Sequence, residues 1–353
     1  MISKPIGSRT SIRLGLVVVT GIALSAAALG QPITEFWLPS NDSRPFMMVA
    51  GPDRNLWFTD GGTSAIGRIT TNGAIDEFAT PSPHSYPIYI TVGPDGNLWF
   101  TENMSRRIGS VTTSGIVSEL PIPSTGLPQA IASGPDGNLW FAEVYPSQVG
   151  RTTTSGVLTE FPIPTTGGGP VGIVAGPDGN LWFTEQFGNK IGRITTNGAI
   201  TEFPIPSPNS SPLGIVAGPD GNLWFTENLA NKIGRITVAG VVAEFPLPWS
   251  DSMLEQITVG PDHNLYFTDF GAGKVGRITP AGEISELATI SPSPGMIGLA
   301  TGPDGHIWVT ESLVRRIGRI PMTSAVVPAL SPLMSVVLAL GLALTAIDFV
   351  RRA

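Results

Sequence analysis

The chain has 353 residues, no cysteine, 43 glycines and 33 prolines, and 13% of its residues are charged. The lack of cysteine excludes disulfides, thiolate nucleophiles and cysteine-ligated zinc, and many turn residues with few charges suit short strands joined by tight turns. The formal net charge is −7; residues 1–30 and 324–353 take away five basic and one acidic residue and leave 15 basic against 26 acidic side chains, so the basic stripe that nucleic acid requires is absent.

Residues 1–30 carry Lys4, Arg9 and Arg13, then an apolar run from Leu14 to Leu24, then Ser25-Ala26-Ala27-Ala28. This three-part layout reads as a secretory signal peptide cleaved after Ala28 or Gly30 and predicts an exported protein; an uncleaved N-terminal anchor is the alternative. After it, residues 31–323 are dominated by a repeat. Segments like Gly218-Pro219-Asp220-Gly221-Asn222-Leu223-Trp224-Phe225-Thr226-Glu227 also begin at Gly51, Gly93, Gly134, Gly176, Gly260 and Gly302, at spacings of 42 or 41 residues. A fixed period in the forties marks stacked supersecondary units.

Residues 212–245 show one unit. Leu213–Ala217 is a short apolar strand with Gly214 inside it, and Gly-Pro-Asp-Gly-Asn is a turn in which proline presets φ and aspartate bonds its own backbone. Leu223–Thr226 is an aromatic strand, Ile233–Thr237 a third, and Val241–Phe245 a fourth that Pro246 stops. Four antiparallel strands per unit make a propeller blade. The strand-four pattern occurs seven times, but its first copy, Ile33-Thr34-Glu35-Phe36, precedes the first Gly-Pro-Asp turn and none follows the last unit. Strand 33–36 is therefore predicted to complete the last blade and close a monomeric seven-bladed all-β ring without an unpaired edge.

Strand direction sorts the loops. The Gly-Pro-Asp and Asn-Gly turns fall on one face, here the bottom, and are nearly invariant; the loops after strands two and four fall on the top and vary. Variable loops on a rigid frame are where binding resides. His263 and His306 replace bottom turn residues and read as solvated, while His84 precedes a strand one on the top. The repeated aspartates (Asp53 to Asp304) read as turn-bonding residues. A carboxylate ends strand two in every blade (Asp60, Glu102, Glu143, Glu185, Glu227, Asp269, Glu311), and six blades carry a strand-three arginine; a ring of acid–arginine pairs is the structural expectation for them.

Functional candidates are the residues that break the symmetry. Trp249-Ser250-Asp251-Ser252-Met253-Leu254-Glu255-Gln256 replaces small residues found in the other copies, and Arg44, Tyr86, Tyr89 and Gln129 depart at other strand-one entries. Glu255 and Gln256 fall on the channel-lining strand of the blade whose strand two ends at Asp269. Two carboxylates beside one channel can hold a divalent cation or share a proton, and polar lining of a wet channel is the plain alternative.

Near the C-terminus, Leu333–Ile347 is an unbroken apolar run followed by Asp348 and Arg351-Arg352, a layout that suits a membrane anchor retained by basic residues. Together with Val327-Pro328-Ala329-Leu330-Ser331, residues 324–353 resemble the IPTL-type relatives of bacterial PEP-CTERM sorting signals. That resemblance implies export to the cell envelope or surface and processing by an exosortase-like enzyme.

The repeat Gly-Pro-Asp-Gly-Asn-Leu-Trp-Phe-Thr-Glu … Asn-Lys-Ile-Gly-Arg-Ile-Thr, over residues 33–320, resembles that of the virginiamycin B lyase (streptogramin B lyase) family. The resemblance implies a seven-bladed propeller, Mg²⁺, and linearisation of a cyclic depsipeptide by carbon–oxygen elimination. It also implies a histidine base in a Glu-Pro-His-Gly segment of strand one, with the metal on that glutamate and on the acid ending strand two. Here the histidine position holds Phe46, Ile88, Gln129, Val171, Leu213, Glu255 and Ile297, and the glutamate position holds Arg44, Tyr86, Leu127, Gly169, Ser211, Met253 and Gly295. Two readings follow. One is a non-catalytic exported propeller that binds a peptide, glycan or small ligand on its top face through Arg44, His84, Tyr86, Tyr89, Gln129, Trp249, Asp251 and Gln256. The other is an Mg²⁺-dependent lyase with Glu255 as base and Asp269 and Glu255 on the metal.

Overall fold

The computed structural model describes residues 33–123, 125–289 and 295–322. Residues 1–30, expected to be a signal peptide, and residues 324–353, expected to be an anchor or sorting signal, lie outside the described residues, among which no helix is long and apolar enough to cross a membrane. The described chain forms 28 strands in seven four-stranded antiparallel sheets. Blade one comprises Pro45–Ala50, Leu56–Asp60, Ala65–Ile69 and Ile75–Ala79, and blades two to six repeat that order.

Blade seven is closed from both ends of the propeller. Its first three strands are Met296–Thr301, Ile307–Glu311 and Arg316–Ile320; Thr34–Trp37 is the fourth, with Thr34 opposite Arg319 and Trp37 opposite Arg316. Phe36 stacks on Trp308 at 5.5 Å, as Phe78 stacks on Trp57 within blade one. The predicted closure is thus the observed one.

The repeated residues build the outer half of each blade. In blade five the Asp220 carboxylate accepts hydrogen bonds from Trp224 Nε1 at 3.0 Å and Asn222 Nδ2 at 2.8 Å, which folds the turn back onto the strand it precedes. The Arg235 guanidinium lies over the Trp224 and Phe245 rings at 5.4 and 5.5 Å and reaches Asp220 at 3.8 Å. Gly234, one residue before that arginine, cannot carry a side chain, because a Cβ there would stand 2.1 Å from the Phe225 ring.

The acid–arginine expectation needs correction at this point. The six repeated strand-three arginines pair with the turn aspartates (Arg68–Asp53, Arg151–Asp136, Arg193–Asp178, Arg235–Asp220, Arg277–Asp262 and Arg319–Asp304) and not with the acids ending strand two, where only the additional Arg316 pairs with Glu311 among the described residues. Register is the reason: Arg235 sits opposite Trp224 at the bottom, whereas Glu227 sits opposite Lys232 at the top. His306 also differs from a solvated turn residue. Its Nδ1 accepts the Met322 backbone N–H at 3.0 Å, while His263 is exposed.

In five blades the threonine of strand two ties the blade to the next. Thr184 donates to the Leu213 carbonyl at 2.8 Å, Thr226 to Glu255 at 2.9 Å and Thr268 to Ile297 at 3.0 Å, and Thr310 crosses the seam to Phe46. Those carbonyls belong to strand one, the innermost strand, whose register slips in every blade between its first and fourth residues. Such bulges re-aim side chains, and here seven of them ring the channel.

Candidate functional site

The bulge residues meet in one cavity of about 440 Å³ at the top of the channel. Its lining includes Phe46, Ile88, Gln129, Val171, Leu213, Glu255 and Ile297, one residue from each blade. These are the seven positions where the lyases' histidine is expected. Five are apolar, one is an amide and one is an acid, so this ring of seven is apolar except at Gln129 and Glu255. Tyr89 also lines it and accepts a hydrogen bond from Gln256 Nε2 at 3.2 Å, linking blade two to blade six across the channel.

Glu255 is the chemically singular group. Burial pushes its carboxyl from the ordinary 4.5 up to about 7, because the charged form loses hydration without a compensating partner. Its charge in turn contributes, after burial, to raising the Tyr89 hydroxyl. Among the described residues no group of three or more His, Asp or Glu side chains is placed to hold a metal ion.

Asp269 goes elsewhere. Its Oδ1 accepts the backbone N–H groups of Met253 and Ala272, both at 3.0 Å, and its Oδ2 accepts Trp249 Nε1 at 2.9 Å. The acid is fully buried and organises the blade-six loop, with Lys274 above the Trp249 ring at 5.1 Å. The Mg²⁺ implied by the lyase resemblance does not fit Asp269 and Glu255 as they stand: Asp269 has committed both oxygens, and Met253 supplies no oxygen ligand at the motif's glutamate position.

The remaining candidates separate into three places. Arg44 and Tyr86 line a second, larger groove of about 810 Å³ at the seam of blades seven and one, together with Arg315 and the exposed Trp37. Asp251 is exposed on the blade-six loop, where its φ is 63° and Ser250 Oγ donates to it at 3.0 Å. His84 is exposed with φ 54° and lines neither opening.

Sequence reasoning missed three polar residues of the channel cavity: Asn103, Tyr145 and Gln186. Asn103 and Gln186 directly follow the acid that ends strand two, and both reach the next blade: Asn103 Nδ2 donates to the Pro128 carbonyl at 3.1 Å and Gln186 Nε2 to Ser211 Oγ at 3.3 Å. The signal for them was positional, one residue beyond a repeated acid. Tyr145 stacks near Phe187 at 6.5 Å, an exposed aromatic pair beside the cavity.

The acids ending strand two are a buried layer of their own. All seven are fully buried. Burial raises Glu102 and Glu311 to about 7 and Glu185 and Glu227 to about 8. In four blades a strand-four glutamate lies close enough to raise them further: Glu119, Glu202, Glu244 and Glu35.

Comparison with known proteins agrees with this architecture. The family model described as the virginiamycin B lyase family matches residues 14–210 and 169–329. A solved streptogramin B lyase superposes with a TM-score of 0.81 at 35% identity, covering 85% of this chain and 100% of that one. Virginiamycin B lyase from Staphylococcus aureus gives 0.79 at 37% identity over 83% and 99% of the two chains. A catalytically inactive histidine-to-alanine variant of that enzyme, solved with quinupristin, gives 0.79 at 36% over the same shares. No match was found among curated protein sequences. The propeller, its repeat and these likenesses place the chain in the virginiamycin B lyase family.

Proposed function

We propose that this protein is an exported propeller that binds an apolar peptide or small ligand in the mouth of its channel. One observation carries the reading: the seven bulge residues converge on a single cavity, five of them apolar, with Gln129, Glu255, Asn103 and Gln186 as polar groups in its wall. The cavity's size lies in the range of small-molecule sites, in which an apolar wall holds the ligand and a few polar groups orient it. The exposed Tyr145 and Phe187 extend the apolar surface at the rim. Export rests on residues 1–30, and a tether or sorting step on residues 324–353.

The second reading is carbon–oxygen elimination, as in the family's lyases. What favours it is Glu255, whose carboxyl sits near neutrality at a histidine position and so suits proton abstraction. Incubating the protein with quinupristin and Mg²⁺, with mass spectrometry for product and calorimetry for binding, separates the two. Binding without ring opening, weakened by Glu255→Gln, is the expected result. Ring-opened product that disappears in Glu255→Gln would establish the lyase instead. Neither binding nor product, with quinupristin or with apolar peptides, would refute the cavity reading.

A further inference from the structure

One repeat position on the top face keeps its chemistry while changing its residue. Two residues beyond the acid that ends strand two stand Met104, Tyr145, Phe187, Leu229 and Leu313, in blades two to five and seven, each between 56% and 69% exposed. Blades one and six have Gly62 and Gly271 there, where a Cβ would strike the carbonyl of Asp42 or of Asp251. In those two sectors a neighbouring segment supplies the apolar side chain: exposed Met253 in the blade-six loop, and exposed Trp37 beside Gly62 in the seam groove.

Copying of the repeat does not account for this rim. Faithful copies would repeat one side chain, and an unconstrained position would admit polar ones; the five blades instead hold four kinds of large apolar residue. The bottom face shows an unconstrained position. The residue before the fourth strand is Ala74, Ile116, Val157, Ala199, Val241 or Glu283 in blades one to six, and Ile116, Val157 and Val241 are as exposed as the rim. A regular set of exposed apolar groups marks an interaction surface. The five repeat positions are equivalent loops of a closed ring and so stand at one level around the channel mouth, which suits a flat partner.

Charge and side-chain type select that partner. Arg44, Arg106 and Arg315 stand on the same face in blades one, two and seven, and none is ion-paired to an acid among the described residues; Arg315 lies over the Trp37 ring at 5.6 Å and donates to Asn41. Exposed Asp42 and Asp251 offset them only in part, although acids outnumber bases by 26 to 15 in the body of the chain. Tryptophan and tyrosine settle at a lipid–water boundary, and arginines are drawn to anionic headgroups. The described chain begins at Ile33 and ends at Met322, beside the bottom-turn residue His306, so neither of its ends is placed to cover the rim. We propose that the top rim docks on an anionic lipid surface, with its seven apolar side chains entering the headgroup region.

Residues 31–323 hold every strand and the whole core, so the propeller is assayed without the two terminal apolar segments, which would bind lipid themselves. It is expected to sediment with vesicles of equal parts phosphatidylglycerol and phosphatidylcholine, and at least about tenfold more weakly with phosphatidylcholine alone or in about 0.5 M NaCl. Met104→Ser with Leu229→Ser should weaken binding at least about tenfold, whereas Val157→Ser with Val241→Ser, equally exposed on the bottom, should leave it unchanged. Emission from Trp37 should shift to the blue and be quenched by lipids carrying a nitroxide near the headgroup, a change missing in Trp37→Phe; this reading decides if the rim pair fails to fold. Met104 and Leu229 do not line the channel cavity, so Glu255→Gln should weaken quinupristin binding and leave vesicle binding intact. No vesicle binding, indifference to phosphatidylglycerol, equal loss from the two serine pairs, or an unquenched Trp37 would each overturn the proposal. So would a dimer seen by light scattering without lipid and dissolved by the rim pair, which would make the rim a contact between two copies of the chain.

Discussion

Replacing Glu255 with glutamine is expected to raise the melting temperature at pH 8 and to change it little at pH 5. Burial lifts the folded-state carboxyl from 4.5 to about 7, while the unfolded chain titrates near the ordinary value. Between those two values the folded state binds more protons than the unfolded one, so stability falls as pH rises through that window. The contribution is intact below the unfolded value and gone above the folded one. At 1.36 kcal/mol per unit the full effect is about 3 kcal/mol. The side chain keeps some surface toward the channel mouth, and solvent screening brings this to about 2 kcal/mol. For a propeller of this length that is about 3 °C. Scanning calorimetry of both proteins at the two pH values measures it. Taking the difference between variant and parent removes the titration of Glu102, Glu185, Glu227 and Glu311, which burial also raises. No gain at pH 8, or the same gain at both pH values, would refute the view that Glu255 carries an uncompensated buried charge.

Three further outcomes test the frame around the site. Deleting residues 31–39 removes the fourth strand of blade seven and should lower the melting temperature by more than Phe36→Ala, which forfeits the stack on Trp308 and costs about 2 kcal/mol; an unchanged melt for the deletion would disprove closure. Trp249→Phe takes the Nε1 donor from buried Asp269, and the stranded oxygen should cost about 1–3 kcal/mol in chemical denaturation. Arg235→Ala removes a guanidinium that contacts two rings, Asp220 and the Pro280 carbonyl, and a loss of about 1–2 kcal/mol is expected by the same assay.

The fold was legible because its determinants are local and repeated. Gly-Pro-Asp-Gly-Asn dictates a turn by its own chemistry, Trp-Phe-Thr a buried strand, and a surplus strand-four pattern at Ile33–Phe36 with none after Ile320 leaves one way to close the ring. Pairing was harder to read. The arginine and the acid recur in the same blade, yet antiparallel register puts Arg235 beside Trp224 and Glu227 beside Lys232, at opposite ends. The site was legible in part. Glu255, Gln129 and Tyr89 stand out as symmetry breaks and do share the cavity, whereas Asp269 is claimed by Trp249 and Arg44 and Tyr86 face another groove. No spacing rule foretells which way a bulge turns a side chain, or that an indole twenty residues away occupies a carboxylate.

Repetition also supplies the measure of what is unusual. At the histidine position six blades hold residues that never ionise, and the seventh holds Glu255. In blades four, five and seven internal cations offset the buried acids: Arg316 reaches Glu311 at 2.8 Å, and Lys190 and Lys232 lower the raised carboxyls of Glu185 and Glu227. Burial alone acts on Glu255, and nothing inside the protein counters it. An isosteric glutamine would fill the same space without the cost, so packing does not account for the acid. In the proposed binding reading, the donor or cationic end of the ligand at the channel mouth would supply that counterpart. That is why the binding reading orients its ligand toward blade six.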